Sequence, residues 1–306
     1  MREVTTATGL RTTAAILVGG VGLIFATIPG PKPPPHVDVM MTATGIKLAG
    51  TRSVTSGWVT FRISAPDGEH HLWLVSPSVG PRGDVSTPAG DIRSLWSVNA
   101  ANPRASTVTT PHRPSADPQM VAGYQRTAQE SLIALGGAWV DAGHPATISA
   151  ELPAGDVYLE DLGASAVSDA VLHVGWGKYP PMPARPVGEI TEGDDNFVFA
   201  PPVLPGHGTL ELANADDTET GYHFLVIRAM AAGATREDVE RFFSSGTGPS
   251  PLASAALMSA PLSAGQSQFL SYALPSGEYA ILDAWMDPVT GRVLAGDGAL
   301  TTIRLR

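Results

Sequence analysis

Cysteine is absent from this chain of 306 residues. Its absence excludes disulfides, thiolate catalysis, zinc–cysteine sites and iron–sulfur clusters. The sequence also lacks the G-x-S-x-G, H-E-x-x-H and G-x-x-x-x-G-K motifs, which mark nucleophile elbows, zinc proteases and phosphate-binding loops. These absences favour a protein that is not an enzyme.

Charged residues are also few, at 16%, while hydrophobic residues make up 43% of the chain. Such a chain can bury real cores, and its length suggests about two domains. Glycine (33 residues) and proline (27) are both frequent, which favours many short strands joined by turns.

Residues 189–306 hold 15 acidic and only 6 basic residues. This segment would repel a phosphate backbone, so we expect no nucleic-acid partner.

The N-terminal segment has the pattern of an export signal. Arg2 and Arg11 precede an uncharged apolar run from Ala14 to Ile28, and Pro29 ends it. The run is shorter than the ~20 residues of a spanning helix, so residues 1–30 are either a signal peptide or a membrane anchor. Residues 31–36 form a proline-rich spacer. We therefore expect an extracytoplasmic protein, secreted or held to the membrane by its N-terminal helix, with an unknown envelope protein as partner.

An internal repeat divides the rest of the chain. Residues 142–161 and 264–283 align without gaps at an offset of 122 residues (264 less 142), and seven of the twenty positions are identical. Asp161/Asp283 is one of these identical pairs. Each copy has a strand, an L-P-x-G turn and a second strand, because proline presets φ and glycine accepts positive φ. The repeat predicts two copies of one β-rich domain.

A second pair of segments supports the duplication. Residues 57–75 and 208–228 each predict a strand, a polar turn and a strand that begins near a histidine, His71 or His223. The extra residues of the first copy lie largely in Gly80–Pro118, which predicts a long surface loop. Each copy also predicts a helix, which Thr235 caps in the second copy. In the first copy, helical spacing relates a set of apolar residues: Met120, Val121, Tyr124, Ala128, Leu132 and Leu135.

This order of elements resembles the cupredoxin-like (plastocyanin-like) domains exported by actinobacteria. The resemblance implies a mainly β fold with two tandem Greek-key β-sandwich domains, each with a short helix, after the N-terminal hydrophobic helix. The first domain covers residues 37–179, a linker covers 180–186, and the second domain covers 187–306.

The resemblance also implies where copper would bind. Copper-binding members of the family use a histidine from the middle of the domain, and a cysteine, a histidine and usually a methionine from the last loop. The first ligand has a counterpart near His223 in the second copy and at His70 or His71 in the first. The cysteine position falls at Ala284 or Trp285, the second histidine near Arg292, and the methionine near Gly298. Without a thiolate no blue-copper centre can form.

Other side chains in the sequence could still bind a metal. Met40, Met41 and Met286 could join a histidine as soft ligands for Cu(I). Two oxygen-rich runs, Glu192–Asn196 and Asn214–Glu219, could hold Ca²⁺, although neither follows the EF-hand spacing.

Our main prediction is a non-enzymatic binding or interaction protein without a cofactor, built from two domains that have lost the type 1 copper site. The alternative is a copper-handling protein that uses histidine and methionine ligands, with His71 and His223 as the candidate metal ligands. A weaker alternative is a hydrolase whose active site is assembled from dispersed residues.

Overall fold

Strands dominate this structure, a computed structural model. It describes the following residues: 34–50, 53–78, 118–163, 169–177, 182–183, 185–193, 197–216, 221–245, 248–285, 287 and 293–306. All of them lie within one compact unit, Pro33–Arg306. The segment predicted as a signal peptide or anchor lies outside them, as does the loop predicted after Gly80 up to residue 117. In this part of the chain, neither α-helix has the length and apolarity to cross a bilayer.

Residues 37–179, here called the first half, contain nine strands and one helix among the described residues. In chain order they are β1 (His36–Thr42), β2 (Gly45–Ala49), β3 (Ser53–Thr55), β4 (Gly57–Ser64), β5 (His70–Pro77), α1 (Pro118–Ser131), β6 (Leu132–Val140), β7 (Ala146–Leu152), β8 (Gly155–Asp161) and β9 (Asp169–Gly175).

Residues 187–306, the second half, contain nine more strands and a second helix within the same described ranges. These are β10 (Gly188–Gly193), β11 (Phe197–Phe199), β12 (Val203–Leu204), β13 (His207–Asn214), β14 (Leu225–Met230), α2 (Arg236–Ser245), β15 (Leu252–Met258), β16 (Ser267–Ala273), β17 (Gly277–Asp283) and β18 (Leu300–Leu305). A 3-10 helix, Leu294–Asp297, precedes the last strand.

The strands form one large sheet and two small ones. The large sheet has eight strands in the order β11-β10-β13-β16-β7-β4-β1-β2. The small sheets have the orders β3-β9-β8-β5-β6 and β12-β18-β17-β14-β15. Alternate residues of β4 are buried (Val59, Phe61 and Ile63), as expected for a sheet with one face in the core. The mainly β fold predicted from the sequence is therefore confirmed.

Each half contributes four strands to the large sheet and five to one small sheet, in the same order. Counted outward from the middle of the large sheet, the order is β7-β4-β1-β2 in one direction and β16-β13-β10-β11 in the other. The two inner strands pair antiparallel, with Ile148 opposite Leu270. These two residues are also equivalent in the repeat (270 less 148 is 122). Equivalent positions thus face each other, as at an isologous interface.

A second contact between the halves runs through the core. Gly137 N donates to Gln268 Oε1 at 2.8 Å, and Ala260 N donates to Gly137 O at 3.1 Å. Trp73 Nε1, on a fully buried side chain, donates to Pro261 O at 3.3 Å. Both halves therefore contribute to one continuous set of buried side chains.

The two predicted helices differ in outcome. In α2, Thr235 caps the N-terminus as predicted, because Asp238 N donates to Thr235 Oγ1 at 3.2 Å and Val239 and Phe242 are buried. In the first half the apolar pattern predicted a helix that includes Leu132 and Leu135, and the observed helix is shorter. The helix α1 ends at Ser131, and Leu132 and Leu135 lie in β6. Pairing of β6 with β5 determines the conformation there, rather than helical spacing.

Candidate metal centre

A buried histidine–aspartate pair lies at the start of β14. The Nδ1 of His223 is 2.7 Å from Asp283 Oδ2. Asp283 is the last residue of β17, and the antiparallel register places it opposite Leu225, two residues after the histidine. Its other oxygen, Oδ1, accepts hydrogen bonds from Phe224 N at 3.3 Å and Trp285 N at 2.7 Å. Three donors therefore hold this carboxylate against the imidazole.

Two further carboxylates approach the same imidazole from different strands. Glu192, near the end of β10 and 3% exposed, has its Oε2 3.9 Å from His223 Nδ1. Asp216, just after β13, has its Oδ2 3.7 Å from His223 Nε2. One ligand atom each from Glu192, His223 and Asp283 lie within 4.8 Å of one another. This spacing suits a single ion bound between them.

Burial and charge shift the pKa values of this cluster. Burial alone would lower the pKa of His223, but the hydrogen bond and charge of Asp283 and the charges of Glu192 and Asp216 raise it to about 9. Burial, and then the negative charge of Asp283, raises the pKa of Glu192 well above its usual range. With a pKa of about 9, His223 carries a proton at neutral pH. A divalent cation would displace that proton, since metal ligands must be deprotonated.

Two polar atoms of the cluster have no hydrogen-bond partner. Glu192 Oε1 and His223 Nε2 are both buried and unpaired. Buried polar groups nearly always have a partner, because an unpaired one costs about 1–3 kcal/mol. An ion bound between Glu192 and Asp283 would place a cation beside Glu192, whose Oε1 lacks a partner.

The other predicted ligand, His71, lies in a different environment. It is 3% exposed, its ring lies 6.1 Å from that of Phe224, and its Nε2–H donates to Ser259 O at 2.8 Å. Burial lowers its pKa to about 4, against smaller raising effects from the bond to Ser259 and the charge of Asp161. His71 is thus a neutral imidazole at the contact between the halves, and it is not part of the Glu192–His223–Asp283 cluster.

The first-half counterpart of His223 is His70 rather than His71. His70 Nδ1 lies 2.6 Å from Asp161 Oδ2, and Asp161 Oδ1 accepts from His71 N at 3.1 Å. The same bonds join His223 and Phe224 to Asp283. The pairing of His71 with His223 expected from the sequence is therefore shifted by one residue, and a shift of one residue on a strand changes the face.

Other positions singled out in the sequence are placed as follows. Asp283, rather than Ala284 or Trp285, faces the histidine. Of the methionines considered as soft ligands, Met40 is partly exposed and Met41 is fully buried. Other named positions lie outside the described residues: Met286, Arg292, residues 194–196 and residues 217–219.

Sequence analysis assigned Glu192 and Asp216 to two separate calcium candidates, and the structure brings both to His223. Each carboxylate lies at the end of a strand of the large sheet. These two strands, β10 and β13, are parallel neighbours, with Glu192 opposite Asn214. The acidic composition of the two runs was the available signal, but their proximity depends on strand pairing.

No protein-family model matches the chain, and no curated protein matches it. Among solved structures it is similar to auracyanin from Roseiflexus castenholzii, with 18% identity, a TM-score of 0.25, and coverage of 39% of this chain and 94% of that one. It is also similar to a multicopper oxidase from Pediococcus acidilactici, with 12% identity, a TM-score of 0.25, and coverage of 89% and 59%. A Cu-containing nitrite reductase from Thermus scotoductus has 10% identity, a TM-score of 0.23, and coverage of 89% and 61%.

These likenesses concern the fold, and the chain spans about three fifths of the length of the last two proteins. The fold is mainly β and built from several sheets, as the sequence predicts. Fold alone does not assign a reaction.

The main functional prediction, a non-enzymatic binding or interaction protein without a type 1 copper site, is wrong in its main reading. The described residues gather an imidazole and carboxylates at one buried point, which a plain interaction module does not need. The alternative prediction of copper handling fits these findings better, and the prediction that the protein has no cofactor is not supported.

Proposed function

We propose that the protein binds a divalent metal ion, and copper(II) in particular, through Glu192, His223 and Asp283. The observation that carries the proposal is a cluster of three buried ligand-type side chains whose ligand atoms lie within 4.8 Å of one another, and in which Glu192 Oε1 has no hydrogen-bond partner. The proposal assigns no reaction to the chain.

The donor set determines which form of copper fits. It offers one imidazole nitrogen and carboxylate oxygens, and the whole chain has no thiolate. For nitrogen and oxygen donors, Cu²⁺ binds more tightly than the other first-row divalent ions. A type 1 copper centre does not fit, because it requires a cysteine. We therefore expect a colourless or weakly coloured Cu(II) site, and weak binding of Cu(I), which prefers sulfur.

Asp216 would orient the histidine. If the ion binds on the Nδ1 side, between Asp283 and Glu192, the opposite nitrogen faces Asp216 Oδ2 at 3.7 Å. A carboxylate behind a ligating imidazole fixes its tautomer and raises its basicity. Asp216 is therefore a positioning residue in this proposal.

Titration of the full chain with Cu(II), followed by calorimetry and electron paramagnetic resonance, tests the proposal. We expect saturable binding, an imidazole and oxygen signature in the spectrum, and no intense visible band. The variant His223→Ala should weaken binding by about 100-fold or more, since it removes the nitrogen ligand. His70→Ala is the matched control, because it breaks the equivalent pair outside the cluster. Absence of saturable binding, or loss in His70→Ala instead, would contradict the proposal.

We further propose that the protein is a tandem pair of cupredoxin-like domains outside the cytoplasm, anchored through residues 1–30. The repeat at residues 142–161 and 264–283, the shared strand order and the apolar run Ala14–Ile28 support this proposal. In intact cells, added protease should cleave the protein while a cytoplasmic marker survives. Protection until the cells are lysed would contradict the proposed location.

A further inference from the structure

The two halves contain related but unequal versions of the same cluster. In the first half, His70 Nδ1 lies 2.6 Å from Asp161 and His70 Nε2 lies 3.2 Å from Asp67 Oδ1. Both ring nitrogens therefore have a hydrogen-bonding partner. In the second half, Nδ1 of His223 has Asp283, but its Nε2 makes no hydrogen bond and lies 3.7 Å from Asp216 Oδ2. Hydrogen bonds therefore satisfy both ring nitrogens in the first half and only one in the second.

The strand registers identify the residue that differs. Gly57 pairs with Leu152, and Gly206 O accepts a hydrogen bond from the N–H of Leu274, the repeat equivalent of Leu152. The offset between β4 and β13 is therefore 149 residues (206 less 57). It follows that Ala65, one residue beyond β4, is equivalent to Asn214.

The neighbouring strands complete the comparison. In β10 and β13, Glu192 lies opposite Asn214. In β1 and β4, Met40 lies opposite Ser64, so Met41 comes next beside Ala65. Met41 is 0% exposed and Ala65 is 2% exposed, compared with 3% for Glu192. One buried place thus holds a methionine in the first half and a glutamate in the second.

Asn214 stabilises the second-half arrangement, in which Glu192 occupies this buried position. Its Nδ2 donates to Leu262 O at 2.9 Å and to Gly221 O at 3.2 Å, while its Oδ1 accepts from Asp216 N at 3.0 Å. These bonds hold the segment that carries Asp216 beside His223. Ala65 can make none of them, because its side chain is a methyl group.

We propose that Glu192 converts the second-half His–Asp pair into a metal site, so that each chain binds one divalent ion, while the first-half His70–Asp161 pair is a structural hydrogen bond only. This inference rests on the proposed function and specifies it. The physical reason is the donor count. With Glu192, three side chains converge on one point and two carboxylates balance the charge of the ion. With Met41 in that position, the third side chain is an uncharged thioether. A thioether is a soft ligand that suits a divalent ion poorly, and it does not balance the charge of the ion.

The test is Cu(II) stoichiometry and affinity on the full chain, for wild type and for exchanges between the two places. Wild type should bind one ion per chain. Glu192→Met, which copies the first half, and the isosteric Glu192→Gln should each weaken binding by about 100-fold or more. His70→Ala should retain the single ion. Met41→Glu should add a second, weaker equivalent.

The outcomes separate this inference from the proposed function. Circular dichroism and thermal unfolding would show that the Glu192 variants are folded, which we expect because both changes remove a buried acid. Binding of two ions by wild type, with one lost in His70→Ala, overturns the inference and leaves the proposed function intact. Unchanged Cu(II) affinity in folded Glu192→Gln and Glu192→Met would also overturn the inference and leave the proposed function intact. No binding by wild type overturns both.

Discussion

Replacing Gly137 with alanine should destabilise the protein by on the order of 4 kcal/mol, an effect large enough to unfold many domains. A Cβ at this position would lie 1.9 Å from Leu72 O and 2.9 Å from Ala260 Cβ, and φ is +152°. The first contact is with backbone of the paired strand β5, which cannot move without breaking its ladder. The second is with the other half, so the change would strain the sheet and the contact between halves together.

Urea denaturation monitored by tryptophan fluorescence would measure this effect. Gly68→Ala is the matched control, because nothing lies within 4 Å of a Cβ there and no positive φ opposes it. Gly136→Ala offers a comparison within the same strand. Its Cβ would meet the side chain of Gln268 at 2.3 Å and its φ is +95°, so this change also strains the backbone, although the clash itself is with a side chain. Equal stability of Gly137→Ala and Gly68→Ala would show that the strands are not this close.

Lowering the pH should reduce the free energy of unfolding, because the unfolded chain takes up a proton on His71 more readily than the folded chain does. In the folded state its pKa is about 4, below the ordinary value of 6.5, because the ring is buried. Between these values the unfolded chain binds the proton and the folded chain does not. The contribution to stability is therefore complete above pH 6.5 and is lost as the pH falls towards 4. A difference of about 2.5 pKa units corresponds to about 3 kcal/mol.

The variant His71→Gln isolates this effect, because glutamine can donate to Ser259 O but does not titrate near neutral pH. We expect the free energy of unfolding of wild type, relative to His71→Gln, to fall by about 3 kcal/mol between pH 7 and pH 4. Other titrating groups, such as the more distant His223 and Glu192, are common to both proteins and cancel. A constant difference across this pH range would show that the pKa of His71 is the same in the folded and unfolded states, which would contradict the prediction.

Local sequence signals were sufficient to predict the hairpins of the fold. The two L-P-x-G turns connect β7 to β8 and β16 to β17, at the offset of 122 residues found in the sequence. These turns depend on residues adjacent in the chain, and Gly155 does take a positive φ of +128°. The cap at Thr235 is equally local. The identical pair Asp161/Asp283 was visible in the repeat, but its role as partner of a histidine was not.

The metal cluster depended on contacts that the sequence does not encode locally. Glu192 and His223 are distant in the chain, and β10, β13 and the start of β14 bring them together. The choice between His70 and His71 depended on strand register, where one residue exchanges the two faces. The sequence repeat related the halves, but it could not predict which strands of the two copies would pair.

Pairing of β7 with β16 also affects the solubility of the molecule. An open strand edge exposes unpaired amide and carbonyl groups that can recruit another chain. Two separate halves would each expose a seven-residue inner strand in this way. In the joined sheet the outer strands are instead β2, of five residues, and β11, of three. Cleavage between the halves, followed by their separation, would therefore produce fragments prone to aggregation.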